Sequence, residues 1–179
     1  FTDTIHGDDG FNLLTDGKSR NSPSGWSKDG ELLAFTSTKR NGTDNDIYVM
    51  NPRDPASAHM VKQVEGGGWA VLDFSPDKKT AVIAEYKSVT NSDPYVLDLA
   101  TGAVTPIGDL KKDIAYGDGE FAPDGSFWIT SDEGSDFARL GIIDLKSGKF
   151  TPKNPEKKWD VDTFKIADDG SFIAYVVNE

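Results

Sequence analysis

The side chains here that could do chemistry are serines, two histidines and a large excess of carboxylates, and their spacing decides which chemistry is open to them. Acyl transfer at a serine needs a Gly-x-Ser-x-Gly turn between a strand and a helix, with a histidine to take the proton. Ser126 follows Gly125 and Ser135 follows Gly134, but both lack the flanking glycine and stand in strand–turn contexts. His6 lies near the start and His59 in an outer-strand position, and both read as surface or edge residues. No nucleophile, general base or cofactor-binding residue is assigned, and the chain reads as non-catalytic.

The carboxylates gather in 41–46, Asn-Gly-Thr-Asp-Asn-Asp, and in 132–136, Asp-Glu-Gly-Ser-Asp. Calcium accepts such oxygens, but its twelve-residue loop with a closing glutamate is absent, and Asp or Asn beside Gly serves first as a turn former. No metal ligand is assigned. With no cysteine, disulfides and thiolate metal sites are excluded, and neither an oxidising nor a reducing compartment is indicated. The formal net charge of −11 argues against nucleic acid or an anionic membrane as partner. No apolar stretch approaches the ~20 residues of a membrane helix. The first residues, Phe1 to His6, have no signal-peptide pattern, so the chain reads as soluble with no compartment assigned.

What positions these residues is a repeat. Trp26-Ser27-Lys28-Asp29-Gly30 precedes the apolar run 32–35, and Phe74-Ser75-Pro76-Asp77 precedes 80–84. Phe121-Ala122-Pro123-Asp124-Gly125 precedes 127–130, and Ile166-Ala167-Asp168-Asp169-Gly170 precedes 172–175. The anchoring aspartates recur about every 45–48 residues, a period that marks propellers and solenoids. In each copy an apolar residue ends a strand. Pro presets φ, Asp bonds neighbouring N–H groups, Gly takes the left-handed conformation, and the next run is the return strand. Lys78 replaces the glycine in the second copy, which predicts a slightly strained turn there.

The pattern predicts an all-β fold: a partial β-propeller of about four blades, each of four antiparallel strands. The whole of 1–179 reads as one domain, with blades at about 21–64, 69–107 and 116–151. Residues 161–179 together with 1–15 read as a split or incomplete blade. Trp26, Phe74 and Phe121 recur at one blade position and are expected to pack between blades. Connections at 37–45, 85–94 and 131–138 should emerge on the same face as those between blades, the other face carrying tight turns. A longer connection is expected at 51–58. Long loops on a rigid scaffold are where binding usually resides.

The stretch 26–51, with its aromatic-Ser-x-Asp-Gly turn, Ala-Phe strand and Asp-Ile-Tyr-Val strand, resembles the blade motif of the propeller in the prolyl oligopeptidase family of serine peptidases. The stretch 13–26 is similar to the junction before it, and the likeness extends through Gly66–Trp69 and Ala115–Gly117. The resemblance implies a non-catalytic propeller segment that gates or positions peptide substrate for a hydrolase domain outside this chain. The partners implied are that domain and a peptide. Some of these relatives hold a substrate amino terminus with acidic propeller residues, and Asp132-Glu133 is the loose candidate here. TolB-like propellers carry a similar repeat, so the alternative is a propeller that binds another protein. A propeller lyase or glycosidase is disfavoured because no ionisable cluster converges. Open blade edges attract partners, so the terminal strands are expected either to pair into a closed four-bladed ring or to drive self-association.

Overall fold

The computed structural model describes residues 2–3, 12–155 and 158–178. Among them the chain forms strands and turns and no helix. The pairs β1 (Thr2–Asp3) and β2 (Asn12–Leu13) make a short two-stranded ladder. Three four-stranded units follow. The first holds β3 (Asn21–Trp26), β4 (Leu33–Ser37), β5 (Asp46–Asn51) and β6 (Asp54–Lys62). The second holds β7 (Trp69–Phe74), β8 (Thr80–Ser88), β9 (Asn91–Asp98) and β10 (Val104–Pro106). The third holds β11 (Tyr116–Phe121), β12 (Phe127–Ser131), β13 (Arg139–Ile143) and β14 (Phe150–Pro152). A fourth, two-stranded unit pairs β15 (Val161–Ile166) with β16 (Ile173–Val177). Within every unit the strands are antiparallel and adjacent in sequence order. This is a partial β-propeller.

The repeated turn is built alike in all four copies. The N–H of Gly30, Lys78, Gly125 and Gly170 donates to the carbonyl three residues earlier at 2.7–2.9 Å. Asp29, Asp77, Asp124 and Asp169 each accept the N–H two residues on through Oδ1. Lys78 has φ +56°, the left-handed conformation its sequence position demanded. Its ammonium reaches Asp29 and Glu31 of the preceding turn, so the residue that strains its own turn also ties two units together.

The facing sides of successive units cover one another. Ala34, Ile47 and Val49 of the first unit pack on Val71, Phe74 and Ile83 of the second. Val82 and Ile107 of the second meet Phe121, Phe127 and Ile129 of the third. Ala122 and Leu140 of the third meet Val161, Phe164 and Ile166. Phe74 and Phe121 thus lie between units, 3% exposed each, whereas Trp26, the matching residue of the first unit, is 52% exposed. The interblade expectation for Trp26 is corrected to that extent.

Every inner strand carries a register shift, between Pro23 and Gly25, Val71 and Asp73, Tyr116 and Gly119, and Val161 and Thr163, mid-strand in the first two units and at the strand's start in the last two. Such bulges steepen the twist and re-aim the next side chain. In the second unit that side chain is Asp73, 8% exposed, whose carboxylate accepts the N–H of Phe74 and, across the unit boundary, that of Phe121, both at 2.8 Å. In the third unit Asp118, within the shifted stretch, accepts from Thr163 Oγ1 of the fourth at 2.8 Å.

Three expectations are altered. The connection expected at 85–94 is a hairpin with one register shift, between Tyr86 and Ser88, because β8 and β9 stay paired out to Ser88 and Asn91. The long connection expected at 51–58 is a tight turn, Asn51 Oδ1 accepting from Arg53 N–H before β6 begins at Asp54. The terminal ladders β1–β2 and β15–β16 are separate sheets, so the split blade expected from 161–179 and 1–15 is not joined by hydrogen bonds among the described residues. His6 lies outside the described residues.

Phe127 is 1% exposed and meets Phe121 edge-on at 4.8 Å. Its replacement, Phe127→Ala, is expected to cost about 3–5 kcal/mol in urea unfolding, through lost burial and the cavity left between units.

Burial pushes the Asp73 carboxyl above the usual carboxylate range, Glu120 adding to the rise, while the two N–H donors and Lys28 oppose it. The folded state therefore holds this proton more tightly than the unfolded chain, and the stability it contributes at low pH is lost as pH rises through the raised value. The turn carboxylates have the opposite sign. Hydroxyl and N–H donors from Ser75 and Lys79, from Ser126, and from Ser171 hold Asp77, Asp124 and Asp169 below the usual range. Their stabilisation is present at neutral pH and lost in acid. Urea midpoints measured between about pH 4 and 7 should show Asp73→Asn gaining on the parent sequence as pH rises, and a pH-independent difference contradicts this assignment.

Candidate functional site

The face that gathers the middle hairpins and the inter-unit connections is fastened by backbone bonds. Asn45 N–H donates to Gly66 O, Tyr86 N–H to Gly68 O, Ser92 N–H to Ile114 O and Asp132 N–H to Ala115 O, at 2.8–3.3 Å. The close approach of Gly68 to the hairpin leaves no room for a side chain, since a Cβ there would stand 2.6 Å from Tyr86 O.

Charged residues six apart span the middle connection of each four-stranded unit. In the first, Arg40 grips the fully buried Asp46 through Nε–Oδ2 at 2.7 Å and Nη2–Oδ1 at 3.1 Å. It also donates to Asp44 Oδ2 at 2.8 Å and to Val64 O at 3.1 Å. Asp46 Oδ1 in turn accepts Val64 N–H at 3.0 Å, so one ion pair locks the connection to the chain leaving the unit. Asp46 raises the affinity of Arg40 for its proton. In the second unit Lys87 pairs with Asp93, which is 2% exposed and raises Lys87 likewise. In the third the order is reversed: Glu133 comes first and Arg139 second. Arg139 Nη2 donates to Glu133 O at 3.2 Å, while Glu133 Oε2 and Arg139 Nε are buried without a hydrogen-bond partner.

Aromatic rings stand among these charges. Trp69 packs on Tyr95 at 5.6 Å, and its indole N–H donates to Glu65 O at 3.3 Å. Burial pushes the Tyr116 hydroxyl up to about 12, with Glu133, Asp132 and Asp93 adding to the rise. Burial, Asp93 and Glu85 raise Tyr95. The result is a braced platform, acidic and aromatic, with most of its polar groups bonded to one another and Glu133 Oε2 and Arg139 Nε left without a partner.

The residues weighed for chemistry fall into structural duties. Ser126 Oγ donates to Asp124 Oδ1 at 2.7 Å and Ser135 Oγ accepts Phe137 N–H at 3.2 Å. His59 Nδ1 lies 2.9 Å from Ser57 O on the outer strand β6. In 41–46, Asn41 Oδ1 accepts from Thr43 and Asp44 N–H, and the two carboxylates face Arg40. In 132–136, Asp132 Oδ1 accepts Ala115 N–H at 2.9 Å and Glu133 lies 3.9 Å from Lys112. Among the described residues no three His, Asp or Glu side chains converge as metal ligands would. The ion pairs Arg40–Asp46 and Lys87–Asp93, and the charges at Glu133 and Arg139 that occupy the same places without pairing side chain to side chain, were missed from sequence. Their signal was the charge at each end of the same connection in successive repeats.

On the opposite face, Glu120 lies between Lys165 at 3.5 Å and Lys28 at 3.8 Å, which belong to the fourth and first units. A small cavity of about 180 Å³ sits beside it, between the turns at Ser27 and Ser75, over Phe74 and Phe121.

The fold is a partial β-propeller. No protein-family model matches the chain. It is 32% identical over 139 residues to dipeptidyl-peptidase 5 of Porphyromonas gingivalis, a match that takes in 69% of this chain and 19% of that protein. TolB from Acinetobacter baumannii superposes with a TM-score of 0.69 at 20% identity, over 93% of this chain and 40% of its own. A solved prolyl endopeptidase superposes with a TM-score of 0.66 at 15% identity, over 88% of this chain and 24% of its own. The chain therefore spans a fifth to two fifths of these three proteins. No helix among the described residues is long and apolar enough to cross a membrane.

Asp46→Ala would leave the Val64 N–H without its acceptor and Arg40 with only Asp44 and Val64 O, and is expected to cost about 3 kcal/mol in urea unfolding. Loss of protection at 38–45 and 64–66 in hydrogen exchange would accompany it.

Proposed function

We propose that this chain is the propeller part of a prolyl oligopeptidase-like serine peptidase. It does no bond-breaking itself. It gates or positions a peptide for a hydrolase domain contributed by another part of the parent protein, and 1–179 acts as one propeller domain. The observation that carries this reading is the 32% identity to a dipeptidyl peptidase over 139 residues, well above the identity to any of the solved propellers named here. The braced platform supports it, because a face that holds its shape can orient a peptide at small entropic cost. The prolyl endopeptidase neighbour is described in terms of inter-domain dynamics in catalysis and specificity, which is the kind of coupling proposed for this chain.

The second reading, a protein-binding propeller like TolB, is favoured by the superposition on TolB over 93% of the chain. A fluorophosphonate probe applied to the natural gene product separates the two. Labelling of a product several times larger than 19.4 kDa, abolished by heat denaturation, is the expected result. A larger product that resists the probe would overturn the peptidase reading in favour of the TolB-like one.

A further inference from the structure

Asn41-Gly42 is the one Asn-Gly step in the chain, and it lies in the middle connection of the first unit. In such a step the glycine nitrogen, with no side chain beside it, can close on the asparagine Cγ. The turn itself demands the glycine. Gly42 has φ +83°, and a Cβ there would meet nothing within 4 Å, so conformation rather than space selects it. The matching connection of the third unit also has a left-handed glycine, Gly134, but the residue before it is Glu133, whose carboxylate is a poor target for attack. The reactive step is therefore particular to the first unit.

The folded connection keeps the two reacting groups apart. Asn41 Oδ1 accepts Thr43 N–H at 3.1 Å and Asp44 N–H at 2.9 Å, and Nδ2 donates to Asp44 Oδ2 at 2.7 Å. The amide is turned forward onto 43 and 44, and bringing its Cγ onto the Gly42 nitrogen breaks these bonds. The nucleophile is held as well. Gly42 N–H donates to Thr38 O at 2.7 Å, which favours the neutral amide over the anion that attacks. Asp44 is fixed in its turn by Gly66 N–H at 2.8 Å and by Arg40, which grips Asp46. Asn41, Gly66 N–H and Arg40 hold the Asp44 carboxyl below the usual carboxylate range, so it is ionised at neutral pH. The lock reaches from Thr38 to Gly66.

We propose that Asn41 is a modification site latched by this network: it deamidates when the connection opens, and the product cannot close the latch again. The Gly42 nitrogen bonds to Asn41 Cγ, the Cγ–Nδ2 bond breaks, and the Gly42 proton leaves with Nδ2 as ammonia. Water then opens the cyclic imide at one carbonyl or the other, giving aspartate or isoaspartate. Aspartate sets a carboxylate where Nδ2 donated, against Asp44 Oδ2, and like charges at that separation repel. Isoaspartate adds a methylene to the backbone inside the turn that Gly42 and Thr38 close. An opening of the first connection is thereby recorded permanently on the face of the middle connections. This holds whichever reading of the parent protein is right.

The test ages the full-length gene product beside a synthetic peptide of residues 38–46 in one neutral buffer and follows the deamidation mass gain. Fragment ions separate position 41 from Asn45 and Asn51. The folded protein is expected to deamidate about 100-fold more slowly than the peptide, because a segment so braced is rarely open. Asp44→Ala removes the contact to Asn41 but leaves the Arg40–Asp46 pair, and is expected to age about tenfold faster than the parent with its circular dichroism unchanged. Equal ageing of protein and peptide overturns the inference, as does a folded Asp44→Ala chain that ages no faster than the parent. Should that variant fail to fold, the comparison of protein with peptide decides alone.

Discussion

A four-stranded antiparallel sheet has two faces and too few residues to cover either, so each unit of this chain depends on its neighbours for its core. Ile83 and Val82, adjacent on β8, make the point: one is buried against the first unit and the other against the third. Because strand side chains alternate, a slip of one residue would exchange those two faces and undo both interfaces. The turns guard against that slip. Asp29, Asp77, Asp124 and Asp169 close the same hairpin in each unit, and Asp73 carries the register across a unit boundary by accepting Phe121 N–H.

That dependence explains how one face is free to specialise. With cores and turns fixing the units, the middle connections can differ without altering the scaffold. The first is cinched by Arg40 and Asp46, the third carries the same charges in reverse order, and the second extends as an arm. Differences concentrated there, on a face where the chain also passes between units, are what a substrate- or partner-facing surface requires.

Much of the fold was legible because the repeat is local. Asp and Gly at fixed offsets specify a turn whatever surrounds it, and even the exception was readable: Lys78 in the glycine position has the left-handed φ expected of it. What was not legible depended on contacts across units. The bulges in β3, β7, β11 and β15 have no residue signature, since Ser24, Leu72, Gly117-Asp118 and Asp162 share no chemistry. The stretch 85–94 reads as polar loop because Lys87, Ser88, Asn91 and Asp93 are poor strand formers, yet clamping by Gly68 and Ile114 keeps it a hairpin. Trp26 shares a repeat position with Phe74 and Phe121, but its exposure depends on what covers the first unit, which no pattern within the repeat records. The platform's charge pairs were hidden for a related reason: Glu133 and Arg139 invert the order that Arg40–Asp46 and Lys87–Asp93 establish.

Under the function proposed, a rigid propeller would present the face of the middle connections to a peptide and leave the turn face idle. Hydrogen exchange on the natural gene product, with and without a slowly hydrolysed peptide, tests it most directly. Slower exchange on binding within 85–94 and 131–138, with no change in the turns at 27–30, 75–78 and 122–125, is the predicted result. Protection confined to those turns, beside Lys28, Glu120 and Lys165, would contradict it.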